Sequence, residues 1–328
     1  CIGAGMNFDH SHKRARDAGE QAASLPDWDQ RYEQLSAGRF EGEVDELRVG
    51  PAQVFAERAN QVVMQAGHLS PHRMSIALVC AADAPGWYCG HRLPGEHLIG
   101  ISAQGDFDLV ASAGMQILAL SVDTQALREL ITQVEGPDAE LPAVPLLLNA
   151  PRAACAEYGR LLNAALGLAN SPAELSAHPA SRRMLALSLC DALLANLRSG
   201  EPTGALPASA ASRRRIVARA RQYMQAHAHE VIAVPDLCQA IGTSRRALQY
   251  AFEEVMQISP VTYLRTMRLN RVRSELRQCP VSTVADVAAR WGFWHPSRFA
   301  SDYKAMFGEL PSATRKAANP EAAHFEGE

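Results

Sequence analysis

What the sequence lacks narrows it first. No stretch approaches the ~18 consecutive apolar residues that a transmembrane helix needs, so no membrane span is expected. The amino terminus shows no basic start, apolar middle and small-residue cleavage site; Met6 is a plausible initiator, and a cytoplasmic location is expected. Cys1, Cys80, Cys89, Cys155, Cys190, Cys238 and Cys279 include no CxxC and no metal-type spacing. A scattered, odd set of this kind reads as reduced and mostly buried thiols, with a redox-sensing pair as the alternative.

What is present is ordinary in bulk and uneven in distribution. With 328 residues, 47% apolar and 20% charged, the chain can form two domains that each bury a core. Its net charge of −3 hides an asymmetry. Residues 213–316 hold 17 Lys and Arg against 8 Asp and Glu, a net of +9; the remainder holds 15 against 27, a net of −12. A basic module joined to an acidic one fits a polyanion-binding domain beside a domain of another kind.

Residues 1–25 are polar and aperiodic, which predicts a mobile arm, and helical character is expected from near Trp28. From Gly42 to Val122 come short runs rich in Val, Ile and Leu, among them VFAERA, RMSIALVC, HLIGIS and MQILALSV. Gln104-Gly105-Asp106 and Ala113-Gly114 read as close hairpin turns, and the spacing predicts an antiparallel sandwich or small barrel. Asp123-Thr124 offers a cap for a helix to about Val134. Two longer helices are expected over Ala150–Leu168 and Ser181–Leu197. The second has an apolar surface wider than one stripe, so either its own domain or a second copy of the chain must cover it. Residues 199–212 (SGEPTGALPASAAS) have linker composition. The expected organisation is an arm at 1–25, a β-rich sensing and dimerisation domain at 26–198, a linker at 199–212, a helical domain at 213–316 and a tail at 317–328. In class it is α+β, with an antiparallel β domain first and an all-α domain second.

The helical domain states one pattern twice. VPDLCQAIGTSRRALQYAFEEVMQISP is followed by VADVAARWGFWHPSRFASDYKAMFGELP. Each has a short helix, a Gly (Gly242, Gly292), a longer helix and a Pro (Pro260, Pro311). Asp236 aligns with Asp286, Leu248 with Phe299 and Phe252 with Tyr303. This is the layout of a helix-turn-helix, whose second helix enters the DNA major groove. On the first of these helices Leu248, Ala251, Phe252 and Val255 point inward, which leaves Arg245, Arg246, Gln249 and Tyr250 outward. Arg and Gln match guanine and adenine edges; a merely solvated polar face is the plainer reading. The second helix presents His295, Ser297, Arg298, Ser301 and Lys304. Of these Arg298 is the expected base reader, and the others suit phosphates. A long helix through Tyr263 and Leu276, ending near Cys279-Pro280, joins the two. Its Arg265, Arg268, Arg271, Arg273 and Arg277 read as an exposed row that meets phosphates or solvent.

These residues resemble the carboxy-terminal domain of AraC/XylS transcription regulators, down to Gly292-Phe293, Phe299, Tyr303, Phe307-Gly308 and Pro311. RLNRVRSELR, WGFWH and FASDYKAMFGELPS are similar, more narrowly, to regulators of ethanolamine-operon type. The resemblance implies two recognition helices in successive major grooves of a double-stranded operator. It places Arg246, Gln249, Tyr250, Ser297, Arg298 and Ser301 at base-reading positions, while Pro296 departs from the polar residue usual there. It also implies a homodimer, activation through RNA polymerase and a cupin-like amino-terminal domain that senses a small molecule, with ethanolamine or another small amine as the effector.

For that sensor Trp87, Tyr88, His91, Arg92, Glu96 and His97 are the candidate lining, since aromatics with a few polar groups suit a small ligand. Loop aromatics packed on the barrel are the bland alternative. Cupin enzymes bind metal through an HxH followed by a Glu; His68, His72, His91 and His97 do not form one, so no metal and no other cofactor is expected. An enzyme is disfavoured further because no cysteine sits in the Pro-Cys-His-Arg-like setting of alkyl-DNA repair. A ligand-independent architectural DNA binder remains the other reading.

Overall fold

The computed structural model describes residues 7–80, 82–102, 105–169, 178–202, 208–230, 232–278 and 282–318. It divides into two compact units. The first comprises Cys1–Tyr32, Glu41–Asn60 and Gln65–Ala205; the second comprises Glu33–Phe40, Gln61–Met64 and Leu206–Glu328.

The first unit is built on two sheets. One contains β1 (Phe8–Ala15), β3 (Gly42–Val49), β4 (Ala52–Ala59), β6 (Arg73–Val79), β9 (His97–Ser102), β11 (Gln116–Asp123), β12 (Leu147–Asn149) and β13 (Glu201–Pro202). Its order is β1-β3-β4-β11-β6-β9-β12-β13, and each neighbouring pair is antiparallel. The other contains β2 (Trp28–Gln34), β5 (Val63–Leu69), β7 (Gly86–Tyr88), β8 (His91–Leu93) and β10 (Phe107–Ala111), in the order β2-β5-β10-β7-β8.

Alternation along the strands decides what each face covers. Val54, Ile76, Leu78, Leu98, Leu118, Leu120 and Val122 pack with residues of three helices, α2 (Thr124–Glu135), α3 (Arg152–Ala169) and α4 (Pro179–Ser199). The intervening Phe55, Ala77, Val79, Ile99, Ile117 and Ala119 pack with Trp28, Tyr88, Phe107 and Leu109 of the five-stranded sheet. The eight-stranded sheet therefore packs apolar side chains on both faces. On α4, Ala186, Leu189, Cys190, Leu193, Leu194 and Leu197 join this core, so the unit itself covers most of that helix's wide apolar surface. The Asp123 carboxylate caps α2, accepting from the Gln125 and Ala126 amides at 2.9 and 3.0 Å, as expected.

Several expectations are corrected. Residues 8–15 are no mobile arm but strand β1, with Phe8 opposite Val49 and Ala15 opposite Gly42. Its side chains are polar because it is an edge strand held by its backbone ladder. Helix α1 (Ala18–Ala23) follows, capped by Asp17. Trp28 opens a strand, not a helix: Trp28, Gln30 and Tyr32 alternate toward one face. Residues around Gly105-Asp106 and Ala113-Gly114 do not close hairpins, since β9 and β11 lie in one sheet and β10 in the other; Gln104 lies outside the described residues. The linker is shorter than its composition suggests. Helix α4 runs to Ser199, β13 pairs with Leu148 and Asn149, and α5 (Ala208–Ala226) has begun by Ala208. Residues 203–207, and residues 319–328 of the tail, lie outside the described set.

In the second unit α5 is followed by α6 (Val234–Ile241), α7 (Arg245–Met256), α8 (Pro260–Gln278), α9 (Val284–Arg290), α10 (Pro296–Phe307) and α11 (Pro311–Ala318). Local chemistry sets these boundaries. Gly242 ends α6 with φ of 64°, a left-handed conformation in which a side chain would be strained. Ser244 caps α7 through the Ala247 amide, and Thr283 caps α9 through the Asp286 amide. Pro260 and Pro311 open helices, where a missing N–H costs nothing. Cys279-Pro280, the expected end of the joining helix, lies outside the described residues.

Segment 33–40 is part of this unit's interior. The Tyr263 hydroxyl donates to Glu33 Oε2 at 2.9 Å. Gln34 exchanges hydrogen bonds with Asn270 at 3.1 and 3.0 Å, and its side-chain amide donates to the Met306 carbonyl at 2.9 Å. Tyr263→Phe leaves a buried carboxylate short of a donor. Denaturant unfolding of the full chain is expected to show a loss of about 1–3 kcal/mol, with the α8 backbone retained by circular dichroism.

Candidate functional site

Two helices in the second unit carry the same division of labour. On α7 Leu248, Ala251, Phe252, Val255 and Met256 are buried; Arg245, Arg246, Gln249 and Tyr250 are exposed. Gln249 donates to Glu253 at 2.5 Å, and the Arg213 guanidinium lies 5.6 Å from the centre of the Tyr250 ring. On α10 Phe299, Tyr303, Met306 and Phe307 are buried; His295, Ser297, Arg298, Ser301 and Lys304 are exposed. Phe293, Phe299, Tyr303 and Phe307 form a ladder of rings with successive centres 5.1, 5.7 and 4.7 Å apart. All nine sequence-selected residues thus stand on the solvent side of their helices, with α7 and α10 each offering one patch. Trp294 escaped the sequence reading. It is 70% exposed because Phe293 takes the inward place on Phe299, and two consecutive aromatics at a turn were the signal for it.

The joining helix is different from expectation, and the exposed arginine row is corrected. Arg273 is 5% exposed. Its guanidinium pairs with Glu309 at 2.8 Å and lies 4.7 Å from the centre of the Phe307 ring. Glu309 in turn accepts from Thr314, which accepts from the Tyr303 hydroxyl at 2.9 Å. Burial pushes the Tyr303 hydroxyl up to about 12. Arg268 donates to the carbonyls of Ala228 and Glu230, and Arg265 pairs with Asp302. These cations are occupied within the domain because a helix flanked by two helix-turn-helix cores is covered on several sides.

In the first unit a cavity opens between the sheets. Its walls include Trp28, Phe55, Tyr88, Phe107, Ile99 and Leu109, and its polar residues are Gln30, Tyr32, Glu57 and Gln65. The enclosed space is about 20 Å³, enough for one water-sized group. Trp28 meets Phe55 and Phe107 edge-on, with ring centres 5.5 and 6.0 Å apart. Glu57 is 3% exposed. Its carboxylate accepts from the Tyr32 hydroxyl at 2.8 Å and from the Gln65 amide, while Tyr32 also reaches Gln30 at 3.2 Å. Desolvation raises the Glu57 carboxyl above its ordinary value, a rise that the Tyr32, Gln65 and Gln21 hydrogen bonds oppose.

Of the six residues selected from sequence for a pocket, Tyr88 lines this cavity, where its hydroxyl donates to the Gly100 carbonyl at 2.8 Å. Trp87 alternates away on β7, and Arg92 and Glu96 are exposed. His91 pairs opposite Tyr88, and the His97 ring lies 3.0 Å from the Gly95 carbonyl. The lining comes from strands distant in sequence. The available signal was alternation, in Trp28-Gln30-Tyr32 and in Phe55-Glu57.

Among the described residues no group of three or more His, Cys, Asp or Glu is placed to hold a metal, and no helix is long and apolar enough to cross a membrane. Burial pushes the Cys80 and Cys190 thiols up to about 11, which suppresses their reactive thiolate form.

The fold and the paired exposed patches define a tandem helix-turn-helix domain. Residues 237–317 match the family described as "Helix-turn-helix domain". The chain is 31% identical over 205 residues to the "Probable thc operon regulatory protein" of Rhodococcus erythropolis, covering 60% of each chain. It is 33% identical over 98 residues to "XylDLEGF operon transcriptional activator 3" of Pseudomonas putida, covering 29% of this chain and 30% of that one. The chain thus spans less than two thirds of the length of either relative. A solved AraC-type DNA-binding domain protein from Chromobacterium violaceum is 26% identical, with a TM-score of 0.32, over 34% of this chain and 98% of that one. Residues 237–317 are thus similar to a helix-turn-helix domain, and the chain is similar in part to regulators of operons.

Two outcomes follow from these geometries. Arg273→Ala removes a charged hydrogen bond and a ring contact, and is expected to lower stability in urea by on the order of 2 kcal/mol. Glu57, with its folded value raised, binds more protons folded than unfolded between the ordinary carboxylate value and its own. Stability conferred by its protonated form is present at low pH and declines as pH rises through that window. Glu57→Gln is expected to flatten this part of the stability profile; a slope unchanged from wild type would assign it to other groups.

Proposed function

We propose that this protein is a sequence-specific DNA-binding transcription regulator of activator type, acting as a homodimer on a double-stranded operator and through RNA polymerase. In this reading Arg246, Gln249, Tyr250 and Arg298 read bases, and Arg245, His295, Ser297, Ser301 and Lys304 serve mainly to position the protein on phosphates. The observation that carries it is the repeated helix, α7 and α10, each with an apolar inner side and an exposed polar patch. The match of residues 237–317 and the operon-regulating relatives support it. The protein acts by binding and needs no catalytic group.

A small effector enters the amino-terminal cavity and alters operator affinity. Chain connectivity supports this part. Strand β2 carries Tyr32 on the cavity wall, and the next residue, Glu33, accepts the hydrogen bond of Tyr263 on α8.

Selection from randomised duplexes with the full chain tests the regulator reading. A defined motif is expected, with each wrong pair costing about 1–3 kcal/mol; a flat profile would make the protein an architectural binder. Arg246→Ala is expected to relax preference at one base position, while Lys304→Ala weakens all sequences alike and lowers the salt dependence. Unchanged preference in Arg246→Ala removes that residue from the readers.

A further inference from the structure

We propose that the amino-terminal cavity binds a small organic ammonium ion, its charged head beside Glu57 and enclosed by Trp28, Tyr32, Phe55, Tyr88 and Phe107. This deepens the effector reading above and rests on it for its regulatory meaning only.

The argument begins with concentration. The chain has 4 Trp, 7 Tyr and 9 Phe, and five of these aromatics converge on one cavity. Ring faces carry negative charge density, so a box of rings attracts a cation, and most strongly where water is excluded. At the polar end the groups present acceptors. Glu57 offers a carboxylate, and the partners bonded to it, Tyr32, Gln65 and Gln21, are neutral donors that bring no positive charge. Burying a carboxylate without a counter-charge is costly, as the raised Glu57 value records. An ammonium ion supplies the missing charge and can donate to the carboxylate. A neutral apolar guest leaves that cost in place, and an anion worsens it. The enclosed space of about 20 Å³ admits one water-sized head, such as an ammonium group. A larger body therefore lies toward the open side or displaces the rings.

Binding carries a proton consequence. Among the groups facing Glu57, Tyr32 from β2 is the titratable one, and it stays protonated because burial and the neighbouring carboxylate raise it well above its ordinary value. Gln65 from β5 and Gln21 from α1 do not titrate. The guest favours ionised Glu57, so a proton leaves on binding. Affinity should rise with pH from the ordinary carboxylate range up to Glu57's raised value and level off above it.

The test uses the full chain and defined probes: methylammonium, ethylammonium and tetramethylammonium against the neutral ethanol and tert-butanol. Titration calorimetry and tryptophan fluorescence are read at constant ionic strength, with sodium chloride as the balancing salt. At least one ammonium is expected to bind tenfold or more tightly than the neutral compounds, with affinity rising with pH, and Glu57→Gln is expected to lose tenfold or more. Equal binding of the alcohols, a flat pH profile, unchanged binding by folded Glu57→Gln, or no ammonium binding overturns the proposal. Should that variant fail to fold, the wild-type pH profile decides.

Operator affinity measured with and without the bound ammonium separates the two readings. Binding without a change in operator affinity leaves the cavity assignment standing and removes the regulatory one. A DNA response to other small molecules, with no ammonium binding, does the reverse.

Discussion

A sheet packed with apolar side chains on both faces is the constraint on which the amino-terminal unit depends. Strands β4, β6, β9 and β11 must present apolar side chains alternately to three helices and to a second sheet. A shift of one residue would exchange those two sets. Along β4 the pattern holds through Val54, Phe55 and Ala56, and Glu57 then falls on the side of the second sheet. A carboxylate there must be given donors, and Tyr32 and Gln65 are the residues across from it. The polar cluster is thus fixed in place by the same register that builds the core. Aromatic side chains line the cavity around it.

The helical unit works by local means. Each of its two motifs ends its first helix beside a Gly at positive φ and carries an inward set at helical spacing. A short polar side chain caps α7 in one motif and α9 in the other. With Ser244 capping the start of α7 and Pro296 opening α10, the outward residues are determined by helical period alone. The longer-range bonds, Arg273 with Glu309, Tyr263 with Glu33 and Asn270 with Gln34, then hold the joining helix inside the domain. Charge has two roles on this unit. Arg246 and Arg298 remain exposed, whereas Arg265, Arg268 and Arg273 are spent on internal partners.

This difference explains what could be read from the sequence. The tandem motif was legible because its signals lie within about 25 residues of one another, and its nine outward residues followed from period. The joining arginines misled because period alone does not say that a helix is covered on several sides; Arg273 looks identical to Arg298 in sequence. Strands were recognisable between Gly42 and Val122, but their pairing was not. Turn composition around Gly105 and Gly114 resembles hairpin chemistry, while β10 pairs in the second sheet. Polar β1 escaped notice because an edge strand needs backbone partners more than apolar side chains. The cavity was hidden for the same reason. Trp28, Tyr32, Phe55, Glu57, Gln65 and Phe107 are brought together by sheet topology, and only Tyr88 was reached from the local cluster around Trp87.

The central claim is that α7 and α10 read one face of the same duplex. Hydroxyl-radical footprinting of the full chain, on a duplex obtained by selection, tests it most directly. Two protected clusters on one face, about one helical turn or 10–10.5 base pairs apart, are the expected result. Loss of the exposed residues of α10 should erase one cluster and leave the other. A single cluster, or even protection without register, would contradict the account.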